Sequence, residues 1–432
     1  MTLEFRRGGR SEPGWLPLDN AAKIFPSGTN RTRSLVFSLM AELSEPVRYE
    51  ALLEAARVTS NRYPYFTMHL RKGFFWYWLE EVADGVPVLP DQGEYGKSFR
   101  IGWTRKPLCR ILARGNRITA EFYHVLTDGT GGLNFFKTLL AAYCEFIGLK
   151  TPDSGFIHHA SIPLEGETED GYNRYFDPRL PAPPQLSKAY HLPFPFARNP
   201  RISITAIELS AEKIKEKARS RGISITEYLV SIYLMSLQQV IESTSRIGKI
   251  RSRPVIRIQV PVNLRSLFPS NTLRNFALFV MPEIDRRLGH YSFEEIIHTV
   301  HHFMQHQTDP KLMQKIIYRN VRNEKSIFIR MIPLLLKDPV LSYFFNRSGM
   351  ALYSGLITNL GKIDFSGEMG DHIERMRFFP PPPDKSKVSM AAITYRDRLI
   401  LTISNATTSH LVEKLFLGFL KEEQIPVTII NP

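Results

Sequence analysis

The sequence predicts an α/β fold built from two halves of similar size. Three observations carry this. Over residues 1–150 short runs of strand type alternate with helical spacing, residues 151–200 lose both periods in a proline-dense stretch, and the alternation resumes over 201–432. At 432 residues the chain is long for one core, given roughly 100–200 residues per domain, so two subdomains joined by an irregular crossover is the simplest organisation.

In the first half, "SLVFSLMAEL" (34–43) is a short apolar run, and "PVRYEALLEAARVTSNRYP" keeps helical spacing until Pro64 stops it. "FTMHLRKGFFWYWLEEV" places Lys72 and Gly73 between two aromatic and β-branched runs and reads as a hairpin. "RILARGNRITAEFYH" reads as a second one, with Gly115 and Asn116 at the turn. In its second arm Ile118, Ala120 and Phe122 alternate with Thr119, Glu121 and Tyr123, which leaves His124 at the strand end. Leu133, Phe136, Leu140, Tyr143 and Ile147 then recur at three to four residues, predicting an amphipathic helix that ends near Gly148.

The crossover, with "DPRLPAPPQLSKAYHLPFPFARNP", reads as extended chain. After it come a strand, "ISITAIELS", and a charged helix, "AEKIKEKARSRG". Ser224 and Glu227 form a capping box ahead of a strongly apolar helix, and Ser292 with Glu295 form another ahead of a His-rich one. Between those helices "VIRIQVPVNLR" (255–265) reads as a strand and "NFALFVMPEI" is another apolar run. The tail adds "ALYSGLITNLGKIDF", the proline run Pro380 to Pro383, a strand pair around Asp397, and a last helix over about 409–423.

Composition narrows the function classes. Hydrophobic residues make up 43% and charged ones 23%, the balance of an ordinary packed protein, which argues against wholesale disorder. The net charge of +14 favours polyanionic partners: a nucleotide phosphate, an acidic carrier protein, nucleic acid or an anionic membrane surface. Two cysteines, Cys109 and Cys144, are too few to staple such a chain and suggest a reducing compartment. The opening "MTLEFRRGGRSEPGW" lacks the apolar core of a signal peptide, and no run reaches the roughly 18 apolar residues of a membrane span. A cytoplasmic location is therefore expected.

The segment "EFYHVLTDGTGG" (121–132) carries the chemistry. Histidine, with a free pKa of about 6.5, suits proton removal at neutral pH, and a strand end exposes it where loops form a cleft. Asp128 lies four residues on, and Gly129, Gly131 and Gly132 permit tight backbone at the start of the helix.

"HVLTDGTGGLNFF" resembles the His-His-x-x-x-Asp-Gly signature of the superfamily containing chloramphenicol acetyltransferase, the peptide-synthetase condensation domains and the alcohol acetyltransferases. "RYPYF", "GISITEYLVSIYLMSL", "VPVNLRSLF" followed by "NTLRNF", and "TNLGKID" resemble landmarks of the alcohol-acetyltransferase-like branch, in the same order. The resemblance implies two chloramphenicol-acetyltransferase-like subdomains with mixed sheets, 1–150 carrying the motif and 201–432 facing it across the 151–200 linker, with an active-site tunnel at their interface. It implies transfer of an acyl group, acetyl first among them, from acyl-CoA to an alcohol, or less readily an amine, without an acyl-enzyme. No bound cofactor or metal and no nucleic acid enter that chemistry. The donor can also be an acyl thioester on an acyl carrier protein, and a binding protein on a retired scaffold is a third reading, against which intact His124 and Asp128 count.

Carried over by residue, His124 is the general base and Asp128 a structural aspartate paired with an arginine. Arg265 is the first choice of partner, with Arg257 and Arg274 as alternatives. The first histidine of the signature is Tyr123 here, and strand alternation turns it away from His124. Thr358 and Asn359 in "LITNLG", together with Tyr123, are candidates for the oxyanion site or the tunnel wall, where one donor contributes about 10²–10³ in rate. For Thr358 and Asn359 the competing reading is a polar cap on a strand.

Three other features carry weaker signals. His298, His301, His302 and His306 share a helical face, which suits solvent better than a metal, because neither an HExxH glutamate nor a cysteine accompanies them. His158–His159 lies in the linker, away from any Asp-Gly landmark. "FIRMIPLLLKDPVLSYFFNRSG" (328–349) is apolar and basic, and reads either as a core helix pair broken by proline or as a surface for peripheral membrane contact or substrate entry.

Overall fold

A computed structural model of the chain describes residues 14–430 apart from 31–32, 83, 100–104, 152–162, 199–200 and 245–252. The His158–His159 pair lies outside the described residues.

The first half begins with β1 (Trp15–Pro17), the single-turn α1 (Phe25–Gly28) and β2 (Val36–Leu43). Helix α2 (Tyr49–Arg62) stops at Tyr63, which precedes Pro64 and has left the helical region. β3 (Met68–Lys72) and β4 (Tyr77–Glu81) form the first hairpin, with β1 added at its edge. After β5 (Val88–Pro90) comes the second hairpin, β6 (Cys109–Arg114) and β7 (Arg117–Tyr123), turning through Gly115 at φ +58°. Helix α3 (Gly129–Phe146) follows at once.

β7 is buried on both faces rather than one, although Glu121 lies on it. Its carboxylate accepts hydrogen bonds from Arg110 Nε at 2.6 Å, Gly96 N at 3.0 Å and Ser38 Oγ at 3.2 Å. A buried charge so satisfied lets the strand occupy the middle of a sheet.

Among its described residues the crossover makes turns and the short α4 (Gly171–Arg174) over 163–180, and 181–195 run without helix or strand. β8 (Ser203–Ser210) then leads into α5 (Ala211–Ser220) and α6 (Ile225–Thr244). The box at α6 is formed: Ser224 N donates to Glu227 Oε2 at 2.7 Å, and Glu227 N to Ser224 Oγ at 3.2 Å. β9 (Val255–Asn263), β10 (Ala277–Val280) and β11 (Glu283–Asp285) precede α7 (Phe293–Gln307), whose Ser292/Glu295 box is also formed. His301 on α7 stands 3.1 Å from Glu227, and the His298 ring stacks on His302. Helices α8 (Pro310–Lys325), α9 (Ile327–Met331) and α10 (Leu334–Phe344) continue the chain. The tail holds β12 (Gly355–Ile363), α11 (Gly367–His372), β13 (Ile373–Phe379), β14 (Val388–Tyr395), β15 (Arg398–Asn405), α12 (Leu411–Glu422) and β16 (Val427–Ile430).

Besides the small β1-β4-β3 sheet there are two larger ones, and the buried apolar residues fall into two clusters, the first of which also takes in Leu273, Ile363, Phe365, Met376 and Phe378 from the second half of the chain. The larger sheet runs β10-β9-β12-β14-β15-β8-β16, with β12 parallel to both neighbours and the rest antiparallel, so it is mixed. The other runs β13-β2-β7-β6-β5. Its β13 comes from the second half of the chain and pairs antiparallel with β2, a crossing that the reading of 201–432 as one subdomain does not contain. Glu374, Arg375 and Arg377 interrupt its apolar residues, which hides the strand in the sequence. Arg375 reaches Glu42 on one sheet at 2.8 Å and Glu208 on the other at 3.0 Å, tying the halves together.

Candidate active site

His124 is the first residue beyond β7, and its N–H still donates to Leu35 O at 2.8 Å, extending the β2–β7 ladder by one bond. The ladder fixes the backbone, and two rings fix the imidazole: Phe25 of α1 and Phe37 of β2 lie 5.3 and 5.2 Å away between centroids. The side chain is partly exposed, between the two halves. Its Nδ1 faces Asn275 Oδ1 at 3.1 Å, across 151 residues of sequence.

Asn275 decides the tautomer. Its amide nitrogen lies 3.0 Å from His124 O and 3.2 Å from Asp19 Oδ2, two acceptors that an amide oxygen could not face. Oδ1 therefore points at the ring and accepts the Nδ1 proton. In the neutral imidazole the lone pair is then on Nε2. Burial pushes the His124 pKa below the usual histidine range, while the Asn275 hydrogen bond and the Asp128 charge offset part of the shift. The ring is thus neutral at pH 7 with one oriented basic nitrogen.

Asn275 is held in turn by Asp19, a fully buried carboxyl that burial raises to about 6 against the pull of Arg274. Neither residue stood out in the sequence. "NTLRNF" was visible as a landmark, but no periodicity distinguishes an asparagine that caps a histidine from one that turns a loop.

Asp128 is the N-cap of α3, with Oδ1 accepting from Gly131 N at 3.0 Å. Oδ2 accepts from Phe276 N at 2.8 Å and from Arg265 Nη1 at 2.9 Å, and Arg265 Nη2 reaches Oδ1 at 3.3 Å. Arg265 also donates to Thr272 O and Arg274 O, so it folds the 264–276 loop around itself. The two alternative partners are engaged elsewhere: Arg257 with Glu283, Ser187 O and Leu352 O, and Arg274 with Asp19, Pro17 O and Thr168 O. With its oxygens committed to the arginine and two backbone donors, Asp128 holds the motif to the loop that carries Asn275.

The tight glycine is Gly131 rather than Gly129. A Cβ on Gly131 would stand 2.1 Å from Leu273 O and 2.3 Å from Thr127 Oγ1, both fixed by the 2.6 Å hydrogen bond between them. On Gly129 it would meet the flexible end of Leu360 at 2.8 Å. Gly131→Ala is expected to lose about 3 kcal/mol or more in denaturant unfolding, and Gly129→Ala less than about 1 kcal/mol. Equal losses would contradict the asymmetry.

The remaining candidates separate. Tyr123 is buried, its hydroxyl 2.6 Å from Thr29 Oγ1 at the end of α1, so it steadies the helix carrying Phe25 and does not suit an oxyanion donor. Thr358 and Asn359 lie inside β12, where the register shifts between Asn359 and Lys362, not at a strand cap. Asn359 donates to Thr226 Oγ1 and accepts from Gly361 N, whereas the Thr358 hydroxyl has no partner among the described residues. Leu360 of the same segment packs on Gly129, which brings β12 against the motif.

In sequence, the chain matches no protein-family model and no curated protein. Among solved structures it is similar to TRI101 from F. sporotrichioides complexed with coenzyme A and T-2, at 10% identity over 96% of this chain and 100% of that one, with a TM-score of 0.60. It is similar to the trichothecene 15-O-acetyltransferase TRI3 from Fusarium sporotrichioides, at 12% identity over 97% and 96%, TM-score 0.60. The condensation domain of the Monacolin K polyketide synthase MokA aligns at 12% identity over 95% and 96%, TM-score 0.58. Two mixed sheets with two buried clusters, and alignments that cover nearly all of this chain, give it the two-subdomain fold of the chloramphenicol acetyltransferase and condensation-domain scaffold.

Proposed function

We propose that the protein transfers an acyl group from acyl-CoA to a hydroxyl, or less readily an amine, with His124 as general base. The observation that supports this most is the fixed tautomer: Asn275 takes the Nδ1 proton and leaves Nε2 as the free base. In the reaction, Nε2 accepts the acceptor's proton as its oxygen attacks the thioester carbonyl. The C–S bond then breaks, and the imidazolium returns the proton to the departing thiolate. The acyl group passes directly between substrates, so no covalent enzyme intermediate forms.

Negative charge develops on the carbonyl oxygen at the tetrahedral stage and needs a donor. Thr358 is assigned that role because its hydroxyl has no competing partner, while Asn359 braces the β12 irregularity. Asp128 stays out of the proton path, its oxygens being occupied by Arg265 and backbone N–H groups. Excess Lys and Arg suit the phosphates of coenzyme A, in keeping with the coenzyme A present in the TRI101 complex.

A second reading keeps the chemistry and takes the acyl group from a carrier protein, which the likeness to a condensation domain favours. Thiol release, followed with acetyl-CoA and a panel of alcohols and amines, tests the two. Turnover with acetyl-CoA supports the first. Turnover with a carrier-bound acyl thioester alone selects the second, and no turnover with either donor overturns both.

A further inference from the structure

The helices α9 and α10 expose an apolar face. Phe328 is 86% exposed and Leu335 77%, and Ile327, Met331, Leu336 and Phe344 are exposed with them. The tip of the β3–β4 hairpin continues the face with Phe74, 71% exposed, and Phe75. Single exposed apolar residues are common on any protein, but a contiguous field of large ones marks a contact surface.

The display is held from below. Leu334 N donates to Phe74 O at 2.7 Å, and Lys337 Nζ to Phe75 O at 3.0 Å while lying 3.6 Å over the Trp76 ring. Tyr77 and Ser27 both donate to the Asp338 carboxylate, at 2.9 and 2.8 Å. Polar groups are thus turned inward and apolar ones outward, the reverse of a solvated helix pair.

Charge names the partner. Residues 310–347 carry eight Lys and Arg against two Asp and Glu, and six of the eight, Lys311, Arg319, Arg322, Lys325, Arg330 and Arg347, are exposed along the same stretch of chain that presents the apolar residues. Those two acids are engaged: Glu324 with Lys23 and Asn20, and Asp338 as above. A second copy meeting this face across a twofold axis would set one basic stretch against another. An anionic bilayer complements both the apolar residues and the cationic ones. Beside the hairpin, Trp15, Trp76 and Trp78 line a shallow apolar cleft with Pro17 and Tyr77; these are three of the chain's four tryptophans, the residue type that settles at headgroup depth. No helix among the described residues is long and apolar enough to cross a membrane, so the contact is one of lying on the surface.

We propose that the face formed by α9, α10 and the β3–β4 tip docks the protein on an anionic lipid bilayer. It lies one short helix from the candidate base: Gly28 of α1 abuts the Phe345 ring, and Phe25 at the other end of α1 packs on His124. The docking itself does not depend on acyl transfer and is read without it.

Flotation of the full chain with vesicles of phosphatidylcholine alone, or mixed with phosphatidylglycerol, tests the proposal. The wild type is expected to float with the mixed vesicles and to show a blue-shifted tryptophan emission. Phe328→Glu with Leu335→Glu is expected to lower binding at least about tenfold, and Lys325→Glu with Arg330→Glu likewise, both without a change in thermal unfolding because the residues are exposed. Absence of flotation, or equal flotation of wild type and both variants, overturns the proposal. So does a wild-type dimer that the apolar variant dissociates while neither form binds vesicles, which would assign the face to a second copy.

Discussion

His124→Ala is expected to lower kcat by about 10²–10⁴ while leaving KM for the acyl donor and thermal unfolding nearly unchanged. The loss is confined to kcat because a base acts on a proton that moves only in the transition state. Stability is spared because the ring is partly exposed, and water entering the vacated space can partner Asn275 Oδ1. Thiol release under saturating acetyl-CoA measures the first quantity and calorimetry the second. Full activity in the variant removes His124 from the reaction.

Arg265→Met is expected to destabilise the fold by about 3–5 kcal/mol, the usual result of leaving a buried carboxylate without its cation. Asp128 would keep only the Gly131 and Phe276 N–H groups, and the 264–276 loop would lose the guanidinium that binds Thr272 O and Arg274 O. Asp128→Asn should cost less, since Arg265 retains three other acceptors. It should still lower stability and rate together, because a carboxamide cannot accept on both sides as the carboxylate does. The double variant should fall short of the sum of the singles by more than the roughly 0.5 kcal/mol scatter of independent sites. Strict additivity in urea unfolding would show that the pair does not act as a unit. A stable Asp128→Asn protein without activity would give the aspartate a chemical part after all.

What was legible in the sequence follows from range. His124, Asp128 and the glycines occupy one strand-turn-helix segment whose period switches from two to 3.6 within a dozen residues, so local pattern reaches them. Arg265 was legible through a second landmark, at the end of a strand rich in β-branched residues. Asn275 and Asp19 were not, because their roles depend on which loops the fold brings together: Asn275 meets His124 across 151 residues and Asp19 across 256. β13 was hidden for a related reason. Its apolar positions are interrupted by three charged residues, two of them arginines that meet Glu42 across the strand pair, and pairing with β2 spans more than 300 positions. Thr358 and Asn359 looked alike as neighbouring polar residues, and only their partners distinguish them.

The account rests on a neutral His124 whose Nε2 is the working base, and the pH dependence of kcat/KM tests that most directly. Burial disfavours the imidazolium, so the ring loses its proton at a pKa below about 6.5; the base is competent above that value and is lost as pH falls through it. The wild type should therefore hold a plateau at neutral pH and lose activity on a single acid limb. The Asn275 hydrogen bond supports the charged ring, so Asn275→Ala should move the limb to lower pH and lower the plateau as orientation is lost. Asp19, which titrates at about 6, lies in the same range, and Asp19→Asn should leave the limb in place. A limb that vanishes in Asp19→Asn, or one that stays where it was in Asn275→Ala, would contradict the assignment of His124 as the base.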